Sequence, residues 1–202
     1  MAATSQEHES ETLCIDTLIV SVQNGDREKF ANIVQTFQQP IFRYCYRLLG
    51  NRQDAEDAVQ DIFIKTYESI HRYKPAASFS SWLYRIAGNH CLNLLRRRRM
   101  HRLAMRILKP GSDAAGAEQE FEERLYSYPL AAALSKLSLE ERNLLVLRVF
   151  EQRTYVEMSG ILGISPNALH KRMEKIKSKV RETMTKEGFL CSVQESKLIT
   201  KI

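Results

Sequence analysis

The segment from residue 79 to residue 106 constrains the fold of this chain more than any other, because it joins an apolar helical stripe to a dense run of arginines. Side chains suited to a core recur in it at the spacing of an α-helix seated on other elements. They are Leu83, Ile86, Ala87, either His90 or Cys91, and Leu94. We therefore predict a long helix with one buried face and a strongly basic end.

The other side of this helix carries side chains that suit nucleic acid. They are Trp82, Arg85, Asn89, Asn93 and Arg96, followed by Arg97, Arg98, Arg99, Arg102 and Arg106. Aromatic rings stack on bases, arginines pair with phosphates and amides reach base edges. Residues 69–112 contain no Asp or Glu, and such segregation of charge favours a polyanionic partner. A solvated basic helix and an anionic membrane surface contacted through residues 94–108 are the alternatives.

Composition favours an all-α protein and excludes several other classes. The 202 residues include few glycines and prolines, the formal net charge is +6, and the sequence pI is near 9.2. The N-terminus lacks the pattern of a signal peptide and no apolar run is long enough to span a membrane, so we expect a cytoplasmic protein. The four cysteines form no CxxC pair, and no phosphate loop, GxSxG or HExxH motif occurs. We expect no metal, no cofactor and no enzymatic activity.

The N-terminal half is predicted to be a helical bundle. A first helix ends at Asn24-Gly25, a second follows, and Pro40 is expected to begin a third. The next helix, residues 54–70, has an acidic front and a polar face. That face carries Asp54, Asp57, Gln60, Asp61 and Lys65. It is either a solvated surface with capping acids or a docking face for a basic partner helix, and spacing alone does not decide between them.

A predicted loop, residues 71–81, precedes the basic helix. Tyr73, Phe79 and Trp82 line its edge, where they could hold an unstacked base, as single-strand-binding proteins do. The competing interpretation is that Phe79 and Trp82 anchor the core.

The C-terminal half is predicted to contain a helix-turn-helix. Ser138 with Glu141 forms a capping box, Thr154 can cap the next helix, Gly163 ends it, and Pro166 opens a basic helix. Side chains at the front of that helix are placed to reach base edges and phosphates in a major groove. They are Ser165, Asn167, His170, Lys171, Arg172 and Lys175. The alternative is an ordinary corner of a three-helix bundle.

Composition divides the chain into five segments. We predict a disordered tail at 1–12, an N-terminal domain at 13–106, a flexible linker at 107–128, a helix-turn-helix domain at 129–187 and an extension of unknown role at 188–202.

Four motifs, in order, resemble those of bacterial RNA polymerase sigma factors of the extracytoplasmic-function (ECF) class. They are DAEDAVQDIF at 54–63, FSSWLYRIAGN at 79–89, LSKLSLEERNLLVLR at 134–148, and YVEMSGILGIS with the basic helix at 155–172. With their flanks they cover most of residues 13–186. The chain departs from the family's usual residues at Ser138, at Ser159 and in the run from Asn167 to His170. These departures weaken any transfer of the family's minus-thirty-five sequence preference to this chain.

The resemblance implies an alternative sigma factor that directs core polymerase to promoters and helps to melt the minus-ten region. The helix at 54–70 would dock on the clamp helices of the largest subunit, and the region at 79–99 would recognise the minus-ten element, with Arg96 to Arg99 on phosphates. The helix-turn-helix would read the minus-thirty-five element near the polymerase flap. The resemblance also implies an anti-sigma factor as a partner. A dimeric transcription factor that binds a ligand and a palindromic site is the alternative.

Overall fold

The computed structural model describes residues 15–74, 78–108 and 133–186. Within those ranges the backbone is helical apart from turns and short connections, and no strand occurs there, which confirms the all-α prediction. The tail at 1–12, nearly all of the linker and the extension at 188–202 lie outside the described residues. Among the described helices, none has the length and apolar character needed to cross a membrane.

Four helices form the N-terminal unit. They are α1 over residues 15–23, α2 (Lys29–Leu49), α3 (Arg52–Ser69) and α4 (Phe79–Leu108), with a 3₁₀ turn (Ile70–Arg72) after α3. The predicted stop after α1 is confirmed, because Gly25 has a φ of 101° and the amides of Gly25 and Asp26 donate to the carbonyls of Val22 and Ser21, each at 3.0 Å. This is the hydrogen-bond pattern of a Schellman cap, which needs a residue that tolerates positive φ.

Pro40 lies inside α2, so the predicted helix break before it is wrong. A proline in a helix interior removes one backbone hydrogen bond and crowds the preceding turn, at a cost of about 3 kcal/mol. Ile33 and Ile41, on either side of it, are both fully buried. Each such side chain contributes about 1.5–3 kcal/mol when buried, which offsets the local cost. The two predicted helices are therefore one helix of 21 residues.

The basic helix α4 begins at Phe79, earlier than the predicted end of the loop at Ser81. Ser78 caps it: the Ser78 Oγ accepts a hydrogen bond from the Ser81 amide at 3.2 Å, and the Ser78 carbonyl accepts one from the Trp82 amide at 3.1 Å. The cap places Phe79 in the first turn, where its side chain is 3% exposed.

Three helices form the C-terminal unit, after a short helical segment at 133–135. They are α5 (Leu139–Leu145), which continues into a π-helical turn (Val146–Phe150), α6 (Tyr155–Leu162) and α7 (Pro166–Lys186). The capping boxes at Ser138 and Thr154 are present, and Gly163 ends α6 in the left-handed conformation with a φ of 68°. The helix-turn-helix prediction is confirmed by these elements and their caps.

The π-helical turn was not predicted from the sequence, which suggests one regular helix through Gln152. Its amides bond one residue further back than in an α-helix: the Glu151 amide donates to the Val146 carbonyl at 3.0 Å. Gln152 then has a φ of 53°, which is unusual for a residue other than glycine. The turn directs Glu151 towards the N-terminal unit, where its side chain reaches α2 and α4.

The two units pack against each other, and their buried residues form one continuous cluster. α6 lies against α4, and α5 with its π-helical turn meets α4 and α2. Tyr44 on α2 donates a hydrogen bond of 2.6 Å to Asn143 Oδ1 on α5, with both side chains almost completely buried. The sequence gives no indication of this contact between residues 99 positions apart.

Candidate nucleic-acid and polymerase interface

The acidic face of α3 is exposed as predicted for four of its five residues. Asn51 caps the helix by accepting a hydrogen bond from the Asp54 amide at 3.1 Å, and the face follows along the outer side. The exposed members are Asp57, Gln60, Asp61 and Lys65. Asp54 differs, because its carboxylate is half-buried in an ion pair with Arg98 of α4. It therefore holds α3 to α4 as well as contributing negative charge.

Ile64 is a residue of this face that sequence reasoning missed. Its side chain is 57% exposed, and helical spacing places it on the same side as Asp57, Gln60 and Asp61. The sequence did contain a signal for it, because Ile64 is an apolar residue that lies outside the buried stripe of α3. An exposed apolar side chain ringed by charged groups has the composition of a protein-docking patch, in which an apolar centre is surrounded by a polar rim.

A cleft of about 300 Å³ separates the acidic face from the basic helix. Its walls bring together residues of both predicted sets, and they include Asp54, Asp57, Asp61, Lys65, Asn93, Arg97 and Arg98. His90 lies between the walls: its Nδ1 is 2.7 Å from the Lys65 ammonium and its Nε2 is 3.7 Å from Asp61. Burial and the positive charge of Lys65 lower the pKa of His90, against the opposing effect of Asp61. The neutral imidazole accepts from Lys65, which fixes the tautomer with the proton on Nε2.

The arginine run is less uniform than predicted. Arg96 donates to Glu140 of the C-terminal unit at 2.9 Å and to Asn93 at 3.1 Å. Arg98 is held by Asp54, whereas Arg97 and Arg99 are exposed. Carboxylates of α5 and α3 therefore pair with the guanidinium groups of Arg96 and Arg98 in this conformation, and the contact of all four arginines with phosphates stays a prediction.

The aromatic residues at the start of α4 form a cluster and not an open stacking surface. Tyr73 and Phe79 are 8% and 3% exposed, and their ring centroids lie 5.5 Å apart in an edge-to-face arrangement. The ring of Phe37 from α2 packs on Phe79 at 5.6 Å. The burial of these two rings favours the alternative interpretation of Phe79 as a core anchor, and it places Tyr73 in the core as well. Trp82 is half-buried and packs on Tyr73 at 5.1 Å, so part of its indole still faces outward.

Arg85 and the two asparagines complete the predicted face of α4. Arg85 donates to the carbonyl of Ile161 at 3.1 Å and to the carbonyl of Gly160, at the C-terminal end of α6. A guanidinium there complements the negative end of the helix dipole. Asn89 and Asn93 are exposed.

The predicted recognition residues are all exposed on the front of α7. They are Ser165, Asn167, His170, Lys171, Arg172 and Lys175. Met158, Leu169 and Met173 are fully buried beneath them and fix α7 against α6. The ring of Tyr155 packs edge-to-face on His170 at 5.4 Å, a supporting contact that the sequence did not reveal.

An exposed acidic face beside a basic helix, followed in the chain by a helix-turn-helix, is typical of a helical DNA-binding protein. Two family models match the chain in that order. Sigma-70 region 2 matches residues 33–101, and Sigma-70, region 4 matches residues 128–180. Together the two matches cover more than half of the chain.

Proteins with similar sequences identify the subgroup of the sigma-70 family. The ECF sigma factor SigE of Mycolicibacterium smegmatis is 33% identical over 161 residues, which is 77% of this chain and 62% of SigE. The ECF sigma factor SigW of Bacillus subtilis is 28% identical over 185 residues, covering 85% of this chain and 97% of SigW. The chain belongs to the extracytoplasmic-function class of the sigma-70 family.

Solved structures share the fold. CnrH in complex with the cytosolic domain of CnrY matches with a TM-score of 0.63 at 23% identity, over 84% of this chain and 96% of the matched chain. The sigma factor RpoE in complex with the anti-sigma factor NepR from Bartonella quintana matches with a TM-score of 0.59 at 18% identity, over 78% and 98% of the two chains.

Proposed function

We propose that the chain is an alternative sigma factor that binds core RNA polymerase in the cytoplasm, directs it to specific promoters and helps to melt the minus-ten region. It acts as an initiation subunit and performs no catalysis of its own. The observation that carries the proposal is the order of the two sigma-70 matches along a chain whose two matched parts present an acidic docking face and a helix-turn-helix.

The exposed face of α3 is proposed to dock on the clamp helices of the largest polymerase subunit. Asp57 and Asp61 supply negative charge that speeds encounter with a basic partner. Ile64 supplies the apolar centre, whose removal from water on binding contributes to affinity. Gln60 and Lys65 lie at the rim, with Asp54 and its partner Arg98 behind them.

The exposed side of α4 is proposed to contact the minus-ten region. Asn89 and Asn93 are placed for hydrogen bonds to bases, and Arg97 and Arg99 for phosphates. Trp82 can offer part of its ring to an unstacked base, whereas Tyr73 and Phe79 support it from the core.

The front of α7 is proposed to read the minus-thirty-five element in the major groove. Asn167 and His170 point from the first turns, which is where recognition helices contact base edges. Lys171, Arg172 and Lys175 supply positive charge for phosphates on either side.

An anti-sigma factor is a further proposed partner. Both structurally similar proteins, CnrH and RpoE, are in complexes with other proteins, and the partner of RpoE is an anti-sigma factor.

Transcription in vitro with purified core polymerase on a promoter library tests the proposal. We expect the chain to bind core polymerase and to raise initiation from a subset of promoters that share upstream and minus-ten sequences. A chain that core polymerase does not recruit, or that does not increase initiation, would refute the proposal. A stable dimer that binds a palindrome tightly without polymerase would favour the alternative of a dimeric transcription factor.

A matched pair of substitutions tests the docking face. Ile64→Asp should weaken binding to core polymerase roughly tenfold or more, because it removes the apolar centre and adds a buried charge to the interface. Val20→Asp, at a side chain 55% exposed on α1, makes a closely similar change at nearly the same exposure and should leave binding unchanged. Equal losses in both variants would exclude α3 as the specific contact.

A further inference from the structure

Helix α1 belongs to none of the proposed contact surfaces, although it is packed into the N-terminal unit. Ile19 and Val22 are 2% and 7% exposed, so one side of the helix lies in the core. The helix ends at Gln23, because Gly25 takes a positive φ and closes the C-terminal cap. Gln23 is therefore carried at the end of a helix whose position is fixed by burial.

The side-chain amide of Gln23 bonds to backbone groups 47 and 50 positions further along the chain. Its Nε2 donates to the carbonyl of Ile70 at 2.8 Å and to the carbonyl of Tyr73 at 3.1 Å, and both hydrogen bonds are partly buried. An amide nitrogen carries two hydrogens, so each of its donors has an acceptor. Ile70 begins the 3₁₀ turn after α3, and Tyr73 directly follows that turn. Gln23 thus bridges the two ends of the turn.

The 3₁₀ turn supplies few hydrogen bonds of its own. The Tyr73 amide donates to the Ile70 carbonyl at 3.0 Å, and beyond this bond the backbone of Tyr73 is extended, with a ψ of 128°. Carbonyls at the end of a helix have no partner within the helix and depend on water or on side chains. The amide of Gln23 therefore adds two hydrogen bonds that the backbone of the turn cannot supply.

Tyr73 connects this turn to the tryptophan of α4. Its ring centroid lies 5.1 Å from that of Trp82 and 5.5 Å from that of Phe79, and the rings of Phe79 and Trp82 are 5.5 Å apart. Tyr73 and Phe79 are buried, whereas Trp82 is half-buried. In a closely packed cluster, displacement of one ring shifts its neighbours. The orientation of the indole therefore depends on the backbone position of Tyr73, which Gln23 restrains.

We propose that Gln23 is a positioning residue for promoter melting: it holds the backbone at Tyr73, so that the outward part of the Trp82 indole is presented to an unstacked base of the minus-ten element. This inference rests on the proposed function. Gln23 does not touch DNA in this role, and α1 supplies the fixed point to which the turn is attached. Stacking depends on the angle at which a ring is presented, so a small displacement of the indole weakens it.

A neutral substitution tests the role of the two donors. Gln23→Met removes both of them, keeps much of the side-chain length and leaves the net charge unchanged, so it does not alter attraction to phosphates directly. Gln35→Met makes the same change at an exposed glutamine of α2 and is the matched control. Circular dichroism establishes that each variant retains its helices.

The fluorescence of Trp82 measures positioning in the full chain without polymerase or DNA, because the sequence contains no other tryptophan. We expect Gln23→Met to shift the emission to longer wavelength and to increase quenching by acrylamide, since the indole loses the support of a fixed Tyr73. The Gln35→Met control should match the unchanged protein. Unaltered emission and quenching in folded Gln23→Met would overturn the proposal.

Melting is measured with core polymerase on a promoter selected from the library, with a fluorescent adenine analogue in the minus-ten element that brightens when it leaves the base stack. Loss of two neutral hydrogen bonds should lower the equilibrium constant for melting about tenfold in Gln23→Met. Binding to core polymerase and to the duplex promoter should stay unchanged, and Gln35→Met should show no loss in either assay. Equal losses of polymerase binding and of melting in Gln23→Met would indicate a general structural role and would overturn the positioning role.

The unchanged protein separates this inference from the proposed function. If it melts no promoter with core polymerase, the proposed function is refuted and the positioning role with it. If it melts the promoter and Gln23→Met does so equally well, only the positioning role is refuted.

Discussion

A methyl group added at position 88 tests how closely the two units meet. An ideal Cβ built on Gly88 of α4 lies 2.8 Å from the Tyr44 hydroxyl oxygen, with Asn143 Nδ2 the next nearest at 3.7 Å. The hydroxyl cannot withdraw freely, because it is buried and donates to Asn143 at 2.6 Å. Overpacking of this kind costs about 1–3 kcal/mol, whereas glycine to alanine in a helix gains at most about 1 kcal/mol. We expect Gly88→Ala to lower the free energy of unfolding by about 1 kcal/mol.

A second substitution reverses the sign of that effect. Tyr44→Phe removes the oxygen that the new methyl group meets, and its own cost is about 1–3 kcal/mol because Asn143 Oδ1 loses its buried donor. In the Tyr44→Phe background, alanine at position 88 meets no atom closer than an ordinary van der Waals contact. Gly88→Ala should then stabilise the protein, with a favourable coupling energy between the two positions of about 1–3 kcal/mol.

Urea unfolding of the four proteins, followed by far-UV circular dichroism, measures this coupling. The slopes of free energy against urea should agree among the four, so that differences in midpoint report stability. Additivity within about 0.5 kcal/mol would contradict the reasoning, since residues in contact are expected to couple more strongly. A stabilised Gly88→Ala single variant would also contradict it.

Three further predictions concern charge and base recognition. Replacing the exposed Arg97 and Arg99 by alanine should weaken open-complex formation on all promoters and reduce the slope of log affinity against log salt by about 2, and an unchanged slope would exclude phosphate contacts. Asn167→Ala and His170→Ala should each change preference at particular upstream bases by about 1–3 kcal/mol, measured on a promoter library, whereas uniform losses would count against base readout. The lowered pKa of His90 means that the folded chain binds fewer protons than the unfolded chain just below pH 6.5. Stability should therefore be highest above that pH and fall as the pH drops through the folded-state pKa, a dependence that His90→Gln should reduce in thermal melts.

Helix ends were predictable from local sequence where a capping side chain or a glycine marks them. Ser138 and Thr154 cap their helices with a glutamate three residues later, and Gly25 and Gly163 end helices at positive φ, as their sequence contexts predict. Such signals depend on side chains a few residues apart, so they survive without knowledge of the rest of the chain.

Predictions failed where distant packing outweighed local preference. Pro40 predicts a helix start but lies inside α2, because burial of Ile33 and Ile41 outweighs the lost hydrogen bond. Tyr73 and Phe79 were assigned to a loop, yet Phe79 lies in the first turn of α4 and its ring packs on that of Tyr73. The sequence shows where aromatic residues occur along the chain, but it does not show whether their rings pack in the core or face solvent.

The sequence alone determined that this protein is helical, that one long helix in its N-terminal half is strongly basic, and that its C-terminal half contains a helix-turn-helix, because these follow from periodicity, capping and charge over short distances. Only the tertiary structure decided which charges are free. Arg85, Arg96 and Glu151 look like ordinary surface residues in one dimension, and all three are engaged across the contact between the two units. Free energy at that contact comes from pairs of groups separated by up to 104 positions, and no local pattern specifies such pairs.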